Sequence, residues 1–222
     1  HGTHVAGIAA GTGYYSIIHY PNSSWFIGVA PRAFLYNYRV FNTNGLCLEQ
    51  WVIDAINWAV SNGSDIINLS LGATENGDGT SLLSLACDNA VAQGVVVVVA
   101  ANDHQDGSGD YPIGVPADAH DVITVGSIND QETANISDDT VSAFSGHGPT
   151  LDGRIKPDVV APGEHIWSTY LWHQGFAYAN MAGTSMAAPH VAGVAALIKQ
   201  AHHDWAPLMI KEALKQTARL ND

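Results

Sequence analysis

The sequence predicts an α/β fold in three layers, with a mostly parallel central sheet and helices on both of its faces. Three observations carry this expectation. "VVVVVA" (Val95–Ala100) is apolar at every position, so it has no solvated face and belongs in the middle of a parallel sheet. Amphipathic segments with steps of three and four alternate with short apolar ones along the chain, as βα units require. Turn signals separate them, and successive parallel strands then need right-handed crossovers.

The elements follow in order. "HGTHVAGIAA" opens the chain as a helix of small residues beginning just after His1. "FLYNYRVF" (Phe34–Phe41) is aromatic and β-branched and predicts a strand. In "LEQWVIDAINWAV", the apolar residues Leu48, Trp51, Val52, Ala55, Ile56, Ala59 and Val60 predict a helix with one buried face, which "SNGSD" ends. "IINLSLG" predicts a buried strand. "SLLSLACDNAVAQ" predicts a helix with Gly94 as its C-cap. After "VVVVVA", "DVITVGSI" is a further strand. Beyond Ser145 the chain is rich in Gly and Pro, then enters a long small-residue helix, "SMAAPHVAGVAALIKQAH". A last helix begins at Pro207, a favoured first-turn residue.

The 222 residues suit one domain with a single core. The formal net charge is −13, from 21 acidic against 8 basic residues, which argues against nucleic acid and anionic lipid as partners. No apolar run is long enough to cross a bilayer, so no membrane partner is expected. Two cysteines, Cys47 and Cys87, cannot define a disulfide framework.

Three positions could do chemistry. Ser185, in "AGTSMAAPHVAG", falls at the start of the long helix, where free N–H groups and the helix dipole favour an oxyanion beside the serine oxygen. The alternative is an N-capping serine. A serine hydroxyl needs a base, and a neutral imidazole is the usual one. His1 precedes a helix of Gly, Ala and Val that can pack closely on a second such helix, bringing His1 to Ser185; the alternative is a frayed terminus. His4 is read as a core or capping histidine. A metal on His1 and His4 is a further reading, but no HExxH or CxxC pattern accompanies it. Asn102 ends the central strand, where such sheets bind ligands, and its amide could donate to an oxyanion; a turn asparagine is the alternative.

Taken together these residues resemble the subtilisin-like serine proteases, the subtilase family, over nearly the whole chain. "HGTHVAG" resembles the block around that family's catalytic histidine and "GTSMAAPHVAG" the block around its serine. "GVAPRAFLYNYRVF", "DIINLSLG" and "FSGHGPTLDGRIKPDVVAPG" are similar to further family segments. The resemblance implies a subtilisin-like fold and a serine endopeptidase acting on extended polypeptides, with His1 as general base, Ser185 as nucleophile and Asn102 as oxyanion donor. It implies a specificity pocket between Ser70, Leu71 and Gly72 on one wall and Ala100 and Ala101 on the other. Gly45 and Leu46 would lie near an edge strand that pairs with the substrate. A monomer, secreted or extracellular, is expected.

There are departures. Ala101 stands where the family often has glycine. Asp103 either lends negative charge to the pocket or is a solvated loop acid. "GTGYYSIIHYPNSSWF" is unlike the usual calcium loop, and "DHQDGSGD" lacks EF-hand spacing. No cofactor is therefore assigned; calcium stays open, with no ligand residues assigned to it. The family's acid, on a strand before the histidine, has no counterpart ahead of His1. The chain is accordingly expected to be a catalytic domain, 1–222, lacking the part that bears the acid, and impaired alone. The rival functions are a peptide-binding pseudoprotease and an α/β-hydrolase. The latter needs a histidine after the serine, but His202 and His203 lie about twenty residues on, roughly 25 Å along the same helix.

Overall fold

A computed structural model of the chain describes residues 1–19, 26–104, 112–173 and 176–219. The central parallel strands are β1 (Ile66–Leu69), β2 (Val96–Ala100) and β3 (Ile123–Asn129). Leu69 lies beside Val99 in one pair, and Val98 beside Ile123 in the next. β3 also pairs antiparallel with β4 (Thr140–Val141) and parallel with β5 (Val159–Pro162).

β2 shows why its sequence does not alternate. Val97 and Val99 point into a core with Val52, Ile56 and Ala59 of α3 (Glu49–Ser61) and with Leu83, Cys87 and Ala90 of α4 (Leu82–Ala92). Val96, Val98 and Ala100 point the other way. They meet Ala187, Ala188, Val191 and Ala195 of α5 (Thr184–Ala201) and Ile210 of α6 (Pro207–Thr217). Side-chain period two thus feeds two apolar cores at once. Gly94 lies in the left-handed region, φ +95°, just past the C-cap of α4, where glycine is favoured.

The segment Phe34–Phe41 departs from expectation. It forms no strand pair among the described residues; Phe34 is 95% exposed, while Tyr38 and Val40 pack on the α3–α4 core. β1 pairs with β2 on one side and has no strand partner on its other side among the described residues. A strand needs a neighbour to take up its backbone groups, and β propensity alone supplies none.

A helix pair and a hairpin complete the frame of the site. α1 (Gly2–Ala10) packs on α5 so closely that a Cβ on Gly193 would lie 3.1 Å from the Ala9 carbonyl and 2.5 Å from Val29 Cβ. The short helix α2 (Tyr14–His19) follows α1. The hairpin of β6 (Ile166–His173) and β7 (Phe176–Met181) then holds α1 from outside. His4 is fully buried, and its Nε2–H faces the carbonyls of Ile166 at 3.1 Å and Ala179 at 3.0 Å. Burial pushes its pKa down, so the imidazole is held neutral as a core group.

A buried charge cluster ties α6 to the sheet. Asp158 accepts from Lys156 Nζ at 2.7 Å and faces Lys211 Nζ at 3.3 Å, with all three side chains nearly enclosed. The remaining ammonium hydrogens go to the Val122 carbonyl, the His120 carbonyl and Thr124 Oγ1.

Candidate active site

The first turn of α5 is built for an exposed serine. Gly183 is the N-cap, at φ +151°, a conformation that residues with a Cβ rarely adopt. Ser185 is the second helical residue, half-buried, so it is not the N-cap, and its N–H has no i−4 acceptor within the helix. Its carbonyl would receive the N–H of residue 189, but that residue is Pro189, inside the helix. Ser70 Oγ donates to this carbonyl instead, at 2.8 Å. Ser185 Oγ faces the Ser70 carbonyl at 3.3 Å, and Asn68 Nδ2 donates to Ser70 Oγ at 3.0 Å. The proline in "SMAAP" was the sequence signal for this contact.

The end of β2 supplies the second part. Ala100 and Ala101 are buried, and Ser70 follows Leu69 on the neighbouring strand, one step beyond the Leu69–Val99 pair. Asn102 turns the chain at φ +101°, a region that asparagine tolerates better than most residues. Its Oδ1 accepts from Asp103 N at 2.9 Å and its Nδ2 donates to the Ala73 carbonyl at 3.0 Å. A primary amide has two hydrogens, so one such bond does not exhaust it. The structure also gives Asp103 a role that its sequence did not announce. Its Oδ1 accepts from Thr184 N at 2.7 Å and from Thr184 Oγ1 at 2.8 Å, so it is bonded to α5 and is not a solvated loop acid.

His1 precedes α1, exposed, with its carbonyl accepting from His4 N at 2.9 Å. Ala9 and Gly193, where the helices touch, lie eight residues beyond His1 and Ser185 respectively, about 12 Å of helix in each case. Nearer the starts, His4 lies close enough to His190 to help depress that imidazole's pKa, after burial as the main cause. The two helix starts are therefore at the same end of the pair. No hydrogen bond joins His1 to Ser185 among the described residues, and no carboxylate bonds the His1 ring.

Gly45 and Leu46 sit in a closed turn. Leu46 N donates to Asn42 Oδ1 at 3.0 Å and its carbonyl accepts from Asn42 N at 3.0 Å, so this residue's backbone is occupied internally and does not form a free strand edge. Leu71 is half-buried and Gly72 exposed. Among the described residues no group of three or more His, Cys, Asp or Glu is placed to hold a metal ion. Asp106 and Asp110 of the "DHQDGSGD" stretch, and residues 20–25 of the stretch before "GVAP", lie outside the described residues. Cys47 and Cys87 are unpaired.

The Subtilase family model (Peptidase_S8) matches residues 1–222. The chain is 38% identical over 218 residues to Subtilisin E of Bacillus subtilis (strain 168), covering 98% of this chain and 50% of that protein. It is 36% identical over 236 residues to Serine protease AprX of the same organism, covering 97% of this chain and 52% of that one. The chain thus spans about half the length of these curated relatives. Among solved structures, a cold adapted subtilisin-like serine proteinase superposes with TM-score 0.75 at 32% identity, covering 99% of this chain and 68% of that one. The S41 psychrophilic protease gives 0.80 at 30% identity, covering 98% and 68%. With both the helix-start serine and the strand-end asparagine in place on this sheet, the chain belongs to the subtilase family.

Proposed function

We propose that this protein is a serine endopeptidase that hydrolyses extended polypeptides through an acyl-enzyme. The carrying observation is Ser185 at the second position of α5, with its own N–H free of the helix and the end of β2 beside it. In this reading His1 takes the Ser185 proton as the serine oxygen attacks the scissile carbonyl, then returns it to the leaving amine. The Ser185 N–H and Asn102 Nδ2 hold the oxyanion. In the free site Asn102 Nδ2 rests on Ala73. Secretion belongs to the same reading, and activity in culture supernatant tests it. A fluorophosphonate should label the intact protein at Ser185; labelling at another residue would refute the assignment.

The imidazolium formed in this step needs an acid to orient and stabilise it. The unpaired side of β1 and the unpaired Phe34–Phe41 segment leave place for one further strand, and an aspartate on such a strand would serve. Without that acid the site keeps its peptide cleft but loses about 10⁴ in kcat, which is the rival reading of a catalytically impaired pseudoprotease. Replacing such an aspartate by asparagine in the active protein should lower kcat by about 10⁴, and an unchanged rate would show that the imidazole is oriented by another group.

Asn102→Ala should lower kcat by about 10²–10³ with KM little changed; this magnitude is that of a subtilisin's own oxyanion asparagine and is carried over. A loss mainly in KM would make Asn102 a binding residue. The pocket for the side chain before the cut is assigned between Ser70–Gly72 and Ala100–Ala101. Ala101 is 0% exposed, so a larger residue there has to grow into its surroundings. Ala101→Val should reject bulky side chains across a peptide library, and unchanged selectivity would move the pocket elsewhere.

A further inference from the structure

Asp103 is bonded on several sides by groups that the proposed reaction needs. Its carboxylate Oδ1 holds both the N–H and the hydroxyl of Thr184, the residue before Ser185. Its Oδ2 faces Gly183, where a Cβ would lie 2.7 Å away. Its N–H donates to Asn102 Oδ1 at 2.9 Å, which fixes which way the Asn102 amide is turned and leaves Nδ2 as the donor on the Ala73 side. The turn is braced behind by Gly146 N on the Asn102 carbonyl and His104 N on the Phe144 carbonyl, both 2.9 Å, and by a bridge of Asp103 to Ser145. Gly183 has no side chain to cap α5, so a residue 81 positions away supplies the acceptor. The negative charge also lies at the positive end of that helix.

We infer that Asp103 is a positioning residue which locks the oxyanion asparagine and the nucleophile's helix start into one rigid unit. This rests on the proposed peptidase reading. Two groups on segments far apart in sequence must converge on one carbonyl within a fraction of an ångström, and a misplacement of about 1 Å can cost 10²-fold in rate. A carboxylate carried by the residue after Asn102 and bonded to the residue before Ser185 removes their relative freedom. The same bonds mean that Asp103 is not held in reserve as a counter-ion for a basic substrate side chain.

The test compares Asp103→Ala, Asp103→Asn and Asp103→Glu in the intact protein. It follows kcat, KM, the pH profile of kcat/KM and the rate of fluorophosphonate labelling at Ser185, with thermal unfolding as a check on folding. Asp103→Ala should lower kcat and the labelling rate by about 10–100-fold with KM nearly unchanged. Asp103→Asn keeps an oxygen at the same place and should recover most of the loss, with the pH profile unmoved. Asp103→Glu keeps the charge but displaces it, and should resemble alanine. If alanine does not fold, the asparagine–glutamate contrast decides alone. Equal loss in Asp103→Asn and Asp103→Ala, full activity in Asp103→Glu, or a loss confined to KM for Lys or Arg substrates would overturn positioning in favour of a charge effect. Wild-type labelling at Ser185 with unchanged rates in all variants would overturn the Asp103 inference alone. Absence of labelling at Ser185 in the wild type would instead overturn the peptidase reading and this inference with it.

Discussion

Ser185→Ala is expected to lower kcat by about 10⁶, and His1→Ala by a similar factor, while the double variant loses hardly more than either alone. The size is that measured for a subtilisin's serine and histidine and is carried over to this relative. The physical basis is that a hydroxyl without its base and a base without its hydroxyl are equally unable to form the acyl-enzyme. In the proposed reading, what survives both substitutions is binding plus the assigned oxyanion donors, Asn102 Nδ2 and the N–H of residue 185, worth about 10³–10⁴ over water. The measurement is kcat on a peptide substrate, in a protein that has the orienting acid. Independent, multiplying losses would show that His1 and Ser185 do not act as one unit.

Asp158→Asn is expected to destabilise the protein by about 3–5 kcal/mol, since it leaves Lys156 and Lys211 buried and facing each other without their shared counter-ion. Urea unfolding at pH 7 measures it. Burial is the largest influence on Lys156 and pulls its pKa from 10.5 to about 8, against the opposing pull of Asp158. The folded chain thus releases a proton that the unfolded chain still holds between those two values. By linkage, the Lys156 contribution makes stability rise as pH climbs from about 8 to 10.5 and adds no further slope above. In Asp158→Asn the attraction that favours the ammonium is gone, so this rise should begin at lower pH. A variant as stable as the wild type at pH 7 would show that hydrogen bonds to the Val122 and His120 carbonyls alone carry the two charges.

Much of this molecule was legible locally. The strand at Val96–Ala100, the helices α3, α4, α5 and α6 and the placing of Ser185 at a helix start all follow from periodicity and from glycine and proline positions, which act over a few residues. Pro189 even marks in sequence the carbonyl that the helix leaves unbonded. Long-range contacts were not legible in the same way. Ser70 and Ser185 meet across 115 positions, and Asp103 and Thr184 across 81. Phe34–Phe41 has the composition of a strand but no neighbour to pair with among the described residues, because pairing is a property of two segments and propensity of one. That Asn42 takes both backbone groups of Leu46 was likewise not legible from the residues of the turn. Sequence by itself determined the main helices and the central apolar strand, which faces are apolar and which residue types could react. Only the tertiary structure decided which distant acceptor satisfies each free donor, because that choice depends on how the sheet and α5 are packed, and packing is global.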